Sequence, residues 1–234
     1  MQFNRPHHQK IAHVLSSLDK KKLLDASCYF GGGTAIALKY GEYRESVDID
    51  FMVSDLNGYR SLRNESTNQG GIANLFSAMN LIDASADVRA DQYGIRTFLR
   101  VMETSIKFEI VLEGRVKFDL PEYSDDLPGV PCLSNVDLIA SKLLANSDRW
   151  GDVSVYSRDL IDLAMMTLDK DEWDQGLTKS SGAYGEAIKK DLVKAMDMFL
   201  RQPIYVQRCC KNLKIDIPPS SLIDRVRHLE KYVV

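Results

Sequence analysis

Between Phe30 and Phe51 the chain reads Phe-Gly-Gly-Gly-Thr, then a short apolar stretch ending in Tyr40-Gly41, then Arg44-Glu-Ser-Val-Asp-Ile-Asp-Phe51. Three successive glycines carry no side chain to pack, so they mark a tight turn rather than the interior of an element. Ala35, Ile36, Ala37 and Leu38 then predict a brief helix over Thr34 to Tyr40, which Gly41 can terminate. From Val47 the pattern changes to period two. Asp48 and Asp50 share one face of a predicted strand over Val47 to Val53, and Val47, Ile49 and Phe51 line the other. Ser27 to Phe30 reads as a short strand feeding the glycines. This window therefore fixes a strand, turn, helix and strand in close succession.

Chemistry follows from the same window. Two carboxylates about 7 Å apart along a strand, beside a glycine turn, suit divalent cations that carry a nucleoside triphosphate. Gly32, Gly33 and Thr34 precede a helix whose free amides and positive dipole end can cradle phosphates. A metal-dependent phosphoryl-transfer site usually needs a further acid from a neighbouring strand. In Ile106-Lys107-Phe108-Glu109-Ile110-Val111-Leu112, Phe108, Ile110 and Leu112 fall on one face and Lys107, Glu109 and Val111 on the other. Glu109 is the candidate third metal ligand and general base. Carboxylates about 5 Å apart repel by roughly 3 kcal/mol at an effective dielectric of 20, so such a trio calls for a cation.

Elsewhere the periodicities predict an α+β fold. Ile11, Val14, Leu15 and Leu18 place a helix over His7 to Leu24. Ser54 to Gly71 reads as a polar loop with room for one helical turn, and Ile72 to Asn80 as a helix. Ala86 to Gln92, Ile95 to Glu103 and Ile106 to Glu113 form an expected antiparallel meander, with a further strand over Val116 to Leu120. Pro121 to Pro131, rich in proline, is the expected linker, dividing residues 1–120 from 121–234. Beyond it lie predicted helices. One opens with a capping-box-like Ser134-Asn135-Val136-Asp137, and others cover Asp159 to Thr167, Glu186 to Arg201, Ile204 to Leu213 and Ser221 to Tyr232. Lys142 and Arg149, seven apart, share a helix face that either reaches a triphosphate or forms a solvated basic edge. Arg158 and Asp162 have the spacing of an i,i+4 pair.

Composition narrows the partners. A net charge of -3 leaves no global nucleic-acid footprint, so an RNA would need a local patch. The four cysteines have no zinc-ligand spacing and read as reduced thiols. The first ten residues are polar where an export signal needs an apolar core, and no run approaches membrane-spanning length. A cytoplasmic protein without membrane contact is expected.

Gly32-Gly33-Thr34-Ala35-Ile36-Ala37-Leu38 followed by Arg44-x-Ser46-x-Asp48-Ile49-Asp50-Phe51 resembles the signature of the AbiEii/AbiGii nucleotidyltransferase-like toxins, within the DNA polymerase β-type nucleotidyltransferase superfamily. Val136 to Lys142, through Arg149 to Arg158-Asp159-Leu160-Ile161-Asp162-Leu163, is similar to that family's downstream Lys…Arg…Arg-Asp-x-x-Asp-Leu motif. The resemblance implies a nucleotidyltransferase-type mixed sheet with flanking helices, followed by a helical C-terminal domain contributing to the active-site cleft. It implies Mg²⁺ held by Asp48 and Asp50 with Glu109, and Lys142 and Asp159 as catalytic residues. Arg44, Ser46, Lys142 and Arg149 join the glycines and Thr34 as implied nucleotide contacts. The implied reaction moves NMP from an NTP to an acceptor hydroxyl, with tRNA favoured and an antitoxin as partner. Two alternatives keep the residues but change the outcome: transfer to a protein or small molecule, or nucleotide binding without turnover.

Overall fold

The structure, a computed structural model, describes residues 2–125, 127–167 and 169–233; residue 126 of the expected linker lies outside them. Two compact units are present, one of Met1–Leu38 and Val47–Ser134, the other of Lys39–Ser46 and Asn135–Val234.

The first unit is built on a mixed sheet. Its strands are β1 (Cys28–Phe30), β2 (Ile49–Val53), β3 (Ile82–Asp83), β4 (Arg89–Ala90), β5 (Gly94–Val101) and β6 (Thr104–Leu112). They run in the order β1-β2-β6-β5-β3, with β4 also on β5, and β2 and β6 are the parallel pair. Period-two alternation decides the buried face. Ile49, Phe51 and Val53 of β2 and Ile106, Phe108 and Ile110 of β6 are fully buried. Phe30, Phe51, Phe108 and Phe76 form a continuous aromatic row through this core, with ring centroids 5.5, 5.7 and 6.5 Å apart. The polar positions between them face away from it, which is where Asp50 and Glu109 stand.

Several local expectations change. The N-terminal helix is two helices, α1 (Pro6–Ser17) and α2 (Lys20–Asp25). The Asp19 carboxylate accepts the Lys22 amide and starts a fresh helix there. Residues 56–67, expected as loop, form α4 (Leu56–Thr67), capped by Asp55 and seated on buried Tyr59 and Leu62. The helix expected after it shrinks to one 3₁₀ turn, Gly71–Leu75. Val116 to Leu120 forms no strand. The boundary expected at residue 120 moves to Ser134, because Phe30 exchanges backbone hydrogen bonds with Pro131 and Leu133 and holds that stretch to β1.

The second unit is helical: α5 (Asn135–Arg149), α6 (Arg158–Met165), α7 (Lys170–Tyr184), α8 (Ala187–Leu200), α9 (Pro203–Asn212), α10 (Pro219–His228) and α11 (Glu230–Val233). Helix α3 (Gly32–Lys39) follows β1. The sequence pattern missed α7, whose Gly176, Ser180, Ser181 and Gly182 are poor helix formers. A capping box of Asp169 and Glu172 starts α7, and fully buried Trp173 seats it. Gly176 packs tightly on α5: a Cβ there would lie 2.7 Å from Ile139. Asp137, in the first turn of α5, is buried and pairs with Lys179 at 2.6 Å. Among the described residues no helix is long and apolar enough to cross a membrane, and all four cysteines are thiols.

Candidate active site

In the sheet unit, Asp48 lies immediately before β2 and Asp50 within it, both half-buried. The glycine turn is stitched to the main chain of both. The Gly31 amide donates to the Asp50 carbonyl at 2.9 Å, and the Thr34 hydroxyl donates to the Asp48 carbonyl at 2.6 Å. Thr34 is itself buried, and its hydroxyl ties the turn to the Asp48 main chain. Gly32 opens α3 at φ +67°, where a side chain is strained, and a Cβ there would lie 2.7 Å from Asp50 Oδ2. The turn therefore needs glycine twice over, for its backbone and for the carboxylate packed on it.

Glu109 occupies the register position beside Asp50 across the parallel pair. Paired residues on adjacent strands project from the same face, so the two acids are neighbours. Both Glu109 oxygens are engaged, Oε1 by Arg96 Nε at 2.6 Å and Oε2 by the Lys107 ammonium. Burial disfavours its charge, but the Lys107 and Arg96 hydrogen bonds outweigh that and hold its carboxyl below the usual range. The Glu109 hydrogen bond raises the Lys107 pKa, and the charges of Asp50 and Asp48 add to it. Lys107 thus stands in the field of all three acids. Sequence reasoning missed it and Arg96 as site residues. The signal was present, since Lys107 lies two residues from Glu109 on the same strand face.

The donor chemistry fits a divalent cation: two hard carboxylates beside a glycine turn. Among the described residues no three acids, histidines or cysteines are yet arranged as a ligand set. Asp48 and Asp50 are the pair that would hold the ion. Glu109 is committed to its two cations.

In the helical unit the downstream motif forms a buried chain of alternating charge. Arg44 grips Asp162 at two points, 2.7 and 3.0 Å, and the Tyr43 hydroxyl adds a third contact at 2.6 Å. Lys142 bridges Asp162 at 2.6 Å and Asp159 at 2.8 Å, and Arg149 closes on Asp159 at 2.7 Å. Helix α5 does run to Arg149, so Lys142 and Arg149 share a face as their spacing predicts. Asp162 pairs with Arg44 and Lys142, not with Arg158. Burial opposes the charge of both acids, yet the surrounding cations hold both below the usual carboxylate range. Arg44, implied as a nucleotide contact, is buried with its three nitrogens bonded inside the protein. Ser46 is half-buried. Asp162 and Tyr43 are the members of this chain that the sequence left unassigned.

A model of one protein family, the nucleotidyl transferase AbiEii toxin of type IV toxin–antitoxin systems, matches residues 13–207. The chain belongs to the AbiEii family. This AbiEii chain is accordingly a nucleotidyltransferase of a toxin–antitoxin family. Two solved structures share its fold. A candidate nucleotidyltransferase from H. pylori is 17% identical, with 97% of this chain and 92% of that one covered at a TM-score of 0.56. JHP933 from Helicobacter pylori is 18% identical, with 99% and 93% covered at 0.53. No curated protein matches the AbiEii chain in sequence.

Proposed function

We propose that this AbiEii-family toxin transfers NMP from an NTP to a hydroxyl of RNA, tRNA foremost, with Mg²⁺ held by Asp48 and Asp50. The observation that carries the reading is the Asp50 carboxylate packed against the glycine turn at the head of α3, with Asp48 tied to the same turn. When bound, the metal neutralises triphosphate charge and acidifies the attacking hydroxyl. The chain's own groups do the rest. Gly32 and Gly33 let phosphate oxygens approach the first amides of α3. Lys107 and Arg96, held in place by Glu109, supply positive charge beside the acids, where charge develops on the departing pyrophosphate. Glu109 serves as an anchor for these cations; its depressed pKa makes it a weak base. An antitoxin partner and a cytoplasmic setting complete the proposal, supported by the family's place in toxin–antitoxin systems.

The test is incubation of the protein with each α-labelled NTP, Mg²⁺ and a cell lysate, followed by separation of RNA from protein. Label in tRNA that disappears with EDTA and in Asp50→Asn supports the proposal. Label in the protein fraction or in a small molecule replaces the acceptor. Absence of label in every fraction refutes transfer.

A further inference from the structure

The segment Lys39–Ser46 joins α3 to the acid-bearing strand, yet it belongs to the compact helical unit. Its anchorage is heavy for eight residues. Arg44 spends Nε and Nη2 on the two Asp162 oxygens and donates from Nη1 to the Glu45 carbonyl at 3.0 Å. The Tyr43 carbonyl accepts the Asp216 amide at 3.0 Å, and the Glu45 amide donates to the Leu213 carbonyl at 3.1 Å. Lys214 pairs with Glu45 at 2.5 Å. The Arg44 and Asp162 side chains are 4% and 0% exposed. Burying such a pair brings little net stability over an apolar pair of equal volume, because desolvation offsets the attraction. What a two-point arginine–carboxylate contact does supply is fixed position and orientation. Asp48 follows Arg44 by only four residues, a leash of at most about 14 Å.

We infer that Asp162 is a positioning residue of the transfer site: through Arg44 it holds the Lys39–Ser46 segment, and so the point from which the chain runs into Asp48 and Asp50. This rests on the reading in which those two acids carry the reaction. Lys142, on the second Asp162 oxygen, steadies the anchor from the other side. Asp162 touches no reacting atom in this scheme, so it acts on where the acids stand and not on the affinity for NTP.

The test compares wild type with Arg44→Lys and Asp162→Asn. Arg44→Lys keeps the charge but reduces the grip to one point, which keeps the question answerable if Asp162→Asn fails to fold. Thermal melts establish a temperature at which each variant is fully folded, where kcat and KM for NTP are then measured. Amide hydrogen exchange is followed by mass spectrometry without metal or nucleotide. In Arg44→Lys, kcat should fall about tenfold to a hundredfold as the acids drift from their places. KM should stay within about threefold of wild type. Exchange should rise over residues 39–52, with peptides elsewhere unchanged. Wild-type kcat in folded Arg44→Lys, or a loss confined to the melting temperature, overturns the inference. Unchanged exchange over 39–52 overturns it equally, even if kcat falls. A wild-type protein that labels nothing brings down the underlying transfer reading instead, an outcome the exchange data distinguish because they need no substrate.

Discussion

Substituting Gly32 by alanine tests the link between backbone shape and carboxylate placement. At φ +67° a Cβ costs about 1–2 kcal/mol in backbone strain. The new methyl would also lie 2.7 Å from Asp50 Oδ2 and 3.0 Å from its Cβ. Carbon–oxygen contacts settle near about 3.3 Å, so the carboxylate must give by roughly 0.6 Å or leave its rotamer, at about 0.5–1.5 kcal/mol. The sum is about 1.5–3.5 kcal/mol, a fall of about 3–14 °C in melting temperature for a chain of this size. Activity should suffer beyond stability, since a displacement approaching 1 Å costs about 10²-fold. Gly185→Ala is the control: its φ is +58° and a Cβ there meets nothing within 4 Å. With ψ at −142° it should cost about 1–3 kcal/mol in backbone strain and leave the rate untouched. Differential scanning fluorimetry and initial rates at saturating NTP, well below both midpoints, give the two numbers. If folded Gly32→Ala runs at the wild-type rate while Asp50→Asn is inactive, the turn does not place the carboxylate. If both glycine variants lose rate equally, the effect is one of stability alone.

Three further outcomes are expected. Asp50→Asn should lower the rate about 10³-fold, the several kcal/mol a bound metal supplies, whereas Glu109→Gln should cost only about tenfold. Equal losses would make Glu109 a ligand after all. Lys142→Met leaves Asp159 and Asp162 buried with one countercharge fewer each, and urea titration should show a loss of about 3–5 kcal/mol; unchanged stability would remove Lys142 from the network. Glu109, Asp159 and Asp162 all have folded pKa values below their unfolded ones. Their contribution is therefore complete above the unfolded value of about 4 and drains as pH falls through the depressed folded values. The melting temperature should respond to these acids below about pH 4, and Asp159→Asn should flatten that fall. Asp159→Asn falling in parallel with wild type over that range would contradict the assignment.

The strands and the glycine turn were legible because their signal is local. Alternation along β2 and β6 pits charges against large apolar side chains, and one residue of slip would bury Asp50 or Glu109 in the aromatic row. Helices α4 and α7 were hidden for the opposite reason. Each has a thin apolar stripe, and α7 carries a glycine where a Cβ would lie 2.7 Å from Ile139 of α5. The domain boundary was misplaced because prolines mark a change of direction, while the backbone pairing of Phe30 with residues 131–133 decides which unit keeps that stretch.

Site roles separate in the same way. Face and spacing place Asp50 and Glu109 side by side on one face of the sheet, with Asp48 just ahead of the strand. They do not reveal that Arg44 meets Asp162, 118 residues away, because a buried ion pair leaves no periodicity in either partner's segment. Arg44 and Asp48 sit within one short motif, yet the first is enclosed in the helical unit and the second opens the sheet strand. Contiguity in a motif therefore does not make both residues contacts of the same ligand. Glu109 shows what a closer reading can recover. A lysine two residues away on the same strand face is the first countercharge such an acid meets, before any metal. Counting cations on that face predicts an anchor, and the contrast between Glu109→Gln and Asp50→Asn decides whether the count is right.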